Sequence, residues 1–210
     1  MKTIRAILLV SAWLVICTGY SQGHHHFPMK DTTQSYVRLL FAGDAMQHST
    51  QYLWAWDKST RQYDYEPNFR YLRPYLAQAD INIVNFETTL SGKPYGGYPR
   101  FRTPDAFLDA LVDAGFQVFS VANNHILDGD KRGMKRTLKK LSSYPNLGAY
   151  MDTAQRSAQY PLILHIDDMK IALFTTTYGT NQLTPTAPTC VNYIETEQLE
   201  IDLANSLKDT

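Results

Sequence analysis

Cysteine is almost missing from this chain, at two residues in 210. That excludes a disulfide scaffold and a cysteine-rich zinc module. An excess of either charge is missing too: 20 basic and 20 acidic residues leave zero formal net charge. Without a basic excess there is no electrostatic case for nucleic acid as a partner. There is no internal repeat and no long run of like charge. No apolar run is long enough to span a bilayer comfortably. What is present is an apolar fraction of 44%, with 14 tyrosines and 9 phenylalanines. That suits one globular domain with a real core and argues against disorder.

The N-terminus reads as a leader. Lys2 and Arg5 precede the short apolar stretch AILLVSAWLVIC, and the small residues Gly19 and Ser21 follow. The pattern predicts a signal peptide over residues 1–21, cleaved near Ser21, and an exported protein that is periplasmic or at the cell surface. A lipid anchor on Cys17 is disfavoured by the bulky Ile16 before it. If Cys17 leaves with the leader, Cys190 is the one remaining thiol. Residues 22–35, containing HHHFPMKDTTQS, read as a mobile linker. Its three histidines would fix a metal only if held on a rigid element. The folded domain is expected over residues 36–210.

Within it, strand and helix patterns alternate. YVRLLFA, DINIVNFE and FQVFSVA read as strands. EPNFRYLRPYLAQA has helical spacing that Pro74 should bend or shorten. TPDAFLDALVDAG has the signals of a helix with Thr103 as N-cap, Pro104 at the first helical position and Gly115 closing it. DKRGMKRTLKKL places Met134, Leu138 and Leu141 on one face. YPLILHI and KIALFTTT flank a DDM turn and predict a hairpin. TEQLEIDLANSLKD predicts a last helix with Leu199, Leu203 and Leu207 along one side. The alternation predicts an α/β fold whose first three strands are parallel.

Three strand ends then coincide. Asp44 follows the first strand, Glu87 the second, and Asn123, Asn124 and His125 the third, within SVANNHILDGD. Parallel strands would bring all three to one edge, where open α/β sheets place their ligands. Carboxylate and amide oxygens with some imidazole suit manganese, magnesium, iron or zinc. Such an ion polarises a phosphoryl or carbonyl oxygen and activates water. Each residue also has a plain structural reading. Asp44 could cap a turn, Glu87 could be a solvated carboxylate, and Asp128 could cap the next helix. His48 and Arg102 are further candidates, Arg102 as a clamp for an anionic substrate, and either could be an ordinary surface residue. His165, in an alternating strand, reads as structural.

The stretches LLFAGDAMQHS, ADINIVNFETTLSGKPYGGYPRFRTPDAFLDAL, AGFQVFSVANNHILDGDKRGMKRTL and FTTTYGTN resemble the CapA-type poly-gamma-glutamate capsule biosynthesis family, whose members are metallophosphatase-like. The resemblance covers roughly Tyr36 to Thr210. It rests on glycine–aspartate after the first strand, N-x-E after the second, N-N-H-x-x-D after the third and G-T-N after the hairpin. It implies a layered α/β/β/α sandwich. It implies Asp44, Glu87 and Asn124 as metal ligands and His125 as transition-state stabiliser or acid. Asn85, Asn123, Asp128 and Asn181 stand in the same motifs as supporting or substrate-binding candidates, and Gly133 matches a family glycine. Asp130 departs from the pattern, since the family usually has glycine there. Family members also carry later histidine motifs, so the resemblance implies that this chain is incomplete at its C-terminus. An exposed sheet edge or exposed apolar face on the last helix is expected to follow.

Two functions fit. One is an exported, metal-dependent hydrolase of a phosphoester or amide bond. The other is a non-catalytic partner that binds or exports the acidic polymer, in company with capsule-synthesis membrane proteins. Tyr95, Tyr98, Arg100 and Arg102 could line a cleft for either.

Overall fold

A computed structural model describes residues 23–33 and 35–207. The proposed leader, residues 1–21, lies outside them. The first elements are β1 (His24–Phe27), β2 (Leu39–Ala45), α1 (Ser49–Trp54), β3 (Trp56–Asp57) and β4 (Gln62–Tyr63). Then come α2 (Glu66–Phe69), α3 (Arg73–Leu76), β5 (Ile81–Phe86), α4 (Asp105–Ala114), β6 (Val118–Ser120) and α5 (Asp130–Leu141). The rest are β7 (Asn146–Leu147), β8 (Ala149–Tyr150), α6 (Thr153–Gln159), β9 (Leu162–Ile166), β10 (Met169–Leu173), β11 (Cys190–Val191) and α7 (Thr196–Ser206).

Two sheets organise the domain. The first has the order β2-β5-β6-β7 and every pairing in it is parallel. The second has the order β1-β9-β10, with β1 parallel and β10 antiparallel to β9. The hairpin expected from YPLILHI and KIALFTTT is there, as β9 and β10, but in this second sheet.

Side-chain alternation along β5 divides the core in two. Val84 and Phe86 face α4 and α5, where they pack with Phe107, Leu111, Met134 and Leu138. Ile81 and Ile83 face the other way, against Leu162, Leu164 and Ile166 of β9. The order is therefore helices, parallel sheet, second sheet. Full burial of one such aliphatic or aromatic side chain contributes roughly 1.5–3 kcal/mol.

Several local expectations are corrected. The linker expected over 22–35 instead carries β1, which pairs with β9 from His24↔Ile163 to Phe27↔Ile166. The helix read across EPNFRYLRPYLAQA is two short helices, α2 and α3, each with a proline in its first turn. The N-cap of α4 is Pro104, and the Thr103 hydroxyl instead meets the Thr88 hydroxyl at 2.5 Å. Gly115 closes α4 as expected, at φ 118°, a left-handed conformation that glycine adopts at little cost. The exposed apolar face expected on the last helix is there: Leu203 on α7 and Leu207 at its C-cap point to solvent, at 51% and 72% exposure, while Asp202 and Ser206 are buried. The polar side of that helix is the side that packs.

Candidate metal and catalytic site

Asp44 reaches the site through a break in register. Ala42 pairs with Val84, but Asp44 pairs with Asn85, so Gly43 is an extra residue in β2. A bulge of this kind turns the next side chain to the opposite face. It places Asp44 beside Asn85 rather than over α4 and α5. The N-x-E spacing at the end of β5 puts Asn85 and Glu87 on the same face by simple alternation.

Asn85 joins the two carboxylates. Its Nδ2 donates to Asp44 Oδ1 and to Glu87 Oε2, each at 2.8 Å. Its Oδ1 accepts from Asn123 Nδ2 at 3.1 Å. Asn123 also donates to the Phe86 carbonyl at 3.0 Å and accepts the His125 backbone N–H at 3.2 Å. Asn123 thus pins the turn after β6 to the end of β5.

That turn presents His125. Its Nδ1 lies 2.7 Å from Asp128 Oδ2, and its Nε2 lies 4.0 Å from Glu87 Oε1. Asp128 also accepts the Phe101 backbone N–H at 2.6 Å, and the Phe101 ring stands edge-on to His125 with centroids 4.6 Å apart. Asp128 is therefore spent on His125 and the Phe101 loop, and the residue capping α5 is Gly129. The G-T-N loop arrives from the other side. Asn181 accepts from Asn124 Nδ2 at 3.3 Å and lies 3.4 Å from His125 Nδ1.

The outer candidates sort differently. His48 caps α1, donating its backbone N–H to Gln51 Oε1, and its ring meets the far side of the site edge-on at Phe101, 5.2 Å away. Arg102 donates to the Asp128 carbonyl at 3.4 Å, and its Nε is buried without a hydrogen-bond partner among the described residues. Tyr98, Pro99 and Arg100 join Asn124, His125, Asp128, Asn181 and Leu183 around a cleft of about 350 Å³. Tyr95, expected there, packs instead in an aromatic group with Tyr52 and Tyr63. Arg100 pairs with Asp130 at 3.2 Å. Asp130 has φ 56°, a left-handed conformation that a glycine would take without strain, which is what the implied family glycine at this position would provide. Phe101 was not a candidate from sequence, because its main contribution is a backbone N–H that carries no sequence signal.

The electrostatics are those of two crowded carboxylates. Burial, and then the neighbouring Asp44, push the Glu87 carboxyl up to about 7. Burial also raises Asp128, against the opposing pull of the Phe101 N–H and His125. Among the described residues neither Asp44 nor Glu87 is paired with Lys or Arg. A divalent cation would relieve that repulsion, so the donor set of Asp44, Glu87 and the Asn124 amide oxygen suits one. Among the described residues, no three His, Cys, Asp or Glu side chains already converge on one metal position.

A parallel sheet flanked by helices and backed by a second sheet, with carboxylates, amides and an imidazole at its strand ends, is a metallophosphatase-like α/β architecture. The family model for bacterial capsule synthesis protein PGA_cap matches residues 38–207, and the chain belongs to that family. It is also similar to the capsule biosynthesis protein CapA of Bacillus anthracis, with 24% identity over 139 residues. That alignment covers 62% of this chain and 32% of the relative, so the match spans about a third of the relative's length.

Proposed function

We propose that this capsule-biosynthesis family member carries a metal-dependent hydrolase-type site and acts on a phosphoester or amide bond of an anionic polymer or its precursor. The observation that carries the reading is one amide, Asn85, bonded to both Asp44 and Glu87, with His125 Nε2 4.0 Å from the Glu87 carboxylate. Asp44, Glu87 and Asn124 would hold a divalent ion such as manganese, magnesium, iron or zinc. When bound, such an ion supplies Lewis-acid polarisation of the scissile group and an activated water.

The chain's own residues do the rest. Asp128 accepts from His125 Nδ1 and so leaves Nε2 facing the site. With Nδ1–H held by Asp128, the imidazolium form donates its Nε2 proton to a leaving oxygen or nitrogen, or steadies developing negative charge. Asn181 accepts from Asn124 and lies against the same imidazole, so the G-T-N loop orients Asn124 and packs beside His125. Tyr98 and Arg100 offer an aromatic face and a cation to an acidic chain in the cleft. Export through the Lys2/Arg5 leader would place the protein with membrane-bound capsule-synthesis partners. The zero net charge gives no support to a nucleic-acid partner.

The test is hydrolysis of a generic aryl phosphate and of poly-gamma-glutamate, with manganese and then with chelator. Metal-dependent turnover that disappears in His125→Ala is expected. No turnover by a folded, metal-loaded protein that still binds the polymer would replace this reading with a binding or export role.

A further inference from the structure

The three adjacent histidines, read from sequence as part of a linker, are held on a strand. Strand alternation puts His24 and His26 on one face of β1, with His25 on the other. The parallel register sets His26 directly across from His165 on β9 and His24 across from Ile163. Leu164 and Ile166 of β9 face the first sheet. His24, His26 and His165 therefore stand together on the face turned away from it.

Their rings are in contact. His24 Nδ1 and His165 Nε2 are 2.7 Å apart. The His26 ring is stacked on His165, with centroids 4.4 Å apart and planes 21° from parallel. This cluster takes no part in the site at the ends of β2, β5 and β6.

We propose that His24, His26 and His165 form a second metal site, selective for a borderline transition ion such as zinc. A His-x-His pair on one strand with a third histidine directly across places three neutral nitrogen donors on a rigid frame, although as they stand the rings do not converge on one metal position. Imidazole-only donors suit zinc, nickel, cobalt or copper, and do not suit magnesium or calcium.

The change needed is small. A hydrogen bond between two neutral imidazoles uses one N–H and one lone pair. Moving that proton to the other nitrogen of whichever ring donates turns both facing nitrogens into ligands. Tetrahedral bonds of about 2.0–2.1 Å set those nitrogens about 3.3 Å apart, so the pair must open by about 0.6 Å. The exposed His26 ring must rotate out of its stack. The neighbouring cation is Lys170, across from His165 on β10. Its charge weakens the site.

Binding there would clip β1 onto β9 across residues 141 positions apart in sequence. The ion would bind the folded chain in preference to the unfolded one and so raise its stability.

The test uses protein without an affinity tag of histidines. Asp44→Asn and Glu87→Gln are included so that the strand-edge carboxylates cannot take the metal. Zinc is titrated calorimetrically, and cobalt is followed by its visible absorption. One equivalent of zinc, a higher melting temperature and a tetrahedral cobalt spectrum are expected. His26→Asn, at an exposed position, and His165→Asn should each weaken zinc binding roughly tenfold or more. His25→Asn should leave it unchanged. Absence of zinc binding would overturn the site. So would undiminished affinity in both His26→Asn and His165→Asn, or an equal loss in His25→Asn, which would mean a loose histidine tract rather than a built site.

Discussion

His125 Nδ1 lies 2.7 Å from Asp128 Oδ2, and the same oxygen accepts the Phe101 backbone N–H at 2.6 Å. One carboxylate thus fixes the imidazole and the loop that forms one wall of the cleft. Asp128 is 1% exposed, so water cannot stand in for it.

Asp128→Asn keeps the shape and removes the charge. An amide oxygen is a weaker acceptor, and its NH2 group cannot accept at all. The expected result is a 10–100-fold drop in turnover, with little change in KM and a shifted pH profile. Stability should fall by about 1–3 kcal/mol. Steady-state kinetics on an aryl phosphate and urea unfolding measure the two effects. A variant with wild-type turnover and an unmoved pH profile would remove His125 orientation as the role of Asp128.

Asn85→Ala takes away the donor shared by Asp44 and Glu87. The two carboxylates then face each other with no hydrogen bond to moderate their repulsion. Expected are a loss of about 1–3 kcal/mol at pH 8 and a smaller loss at pH 5, where protonation relieves the repulsion. Manganese should recover part of the loss. Thermal melts at the two pH values, with and without manganese, provide the check. An equal loss at both would mean that Asn85 matters only for packing.

Glu87 sets a pH dependence whose sign is definite. Its carboxyl is raised from 4.5 to about 7 in the fold by burial and by Asp44. The folded state therefore holds that proton more tightly than the unfolded state. The associated stability is complete below about pH 4.5 and is lost as pH rises through about 7. Metal-free protein should lose on the order of 1–3 kcal/mol from this group over that window. Asp128 contributes in the same direction, and His25 and His165, both lowered, contribute in the opposite one. The comparison with Glu87→Gln isolates the Glu87 share. Denaturant unfolding in chelator at pH 5, 6, 7 and 8 should give a wild-type-minus-variant difference that falls with pH. A flat difference would contradict the crowded-carboxylate picture.

Much of the geometry of the candidate site was legible because it depends on local rules. N-x-E alternates onto one face, and N-N-H sits at a strand end that parallel pairing brings alongside Asp44 and Glu87. What was not legible depends on distant partners. HHHF looks like a linker until β9, some 140 residues later, supplies the strand it pairs with. The bulge at Gly43 shows only in the pairing with β5. The exposed leucine face of α7 was legible, since its leucines repeat at helical spacing and were expected to face solvent. Nothing local reveals that an arginine on α6 draws the opposite face inward.

That arginine carries the last prediction. Arg156 Nη2 lies 2.6 Å from Asp202 Oδ2, and its Nε donates to Asn192 Oδ1 at 2.6 Å. Its guanidinium also lies 4.8 Å over the Tyr160 ring, so it joins α6, the residue just after β11, and α7. Asp202 is 5% exposed, while Ile201, Leu203 and Leu207 on the same helix are about half exposed or more. Helix α7 therefore depends on this buried pair more than on apolar contact. Asp202→Ala leaves a partly buried guanidinium without its counter-ion, a loss of about 3–5 kcal/mol for a buried pair. The damage should be local. Amide exchange should speed up across Thr196–Ser206, while the amides of β5 and β6 stay protected. Arg156→Met with Asp202→Leu, which replaces the pair by apolar side chains, should recover most of the stability. Unchanged exchange in α7 of Asp202→Ala would show that other contacts hold the helix. Faster exchange throughout the parallel sheet would show that α7 is part of the global core rather than a separately tethered element.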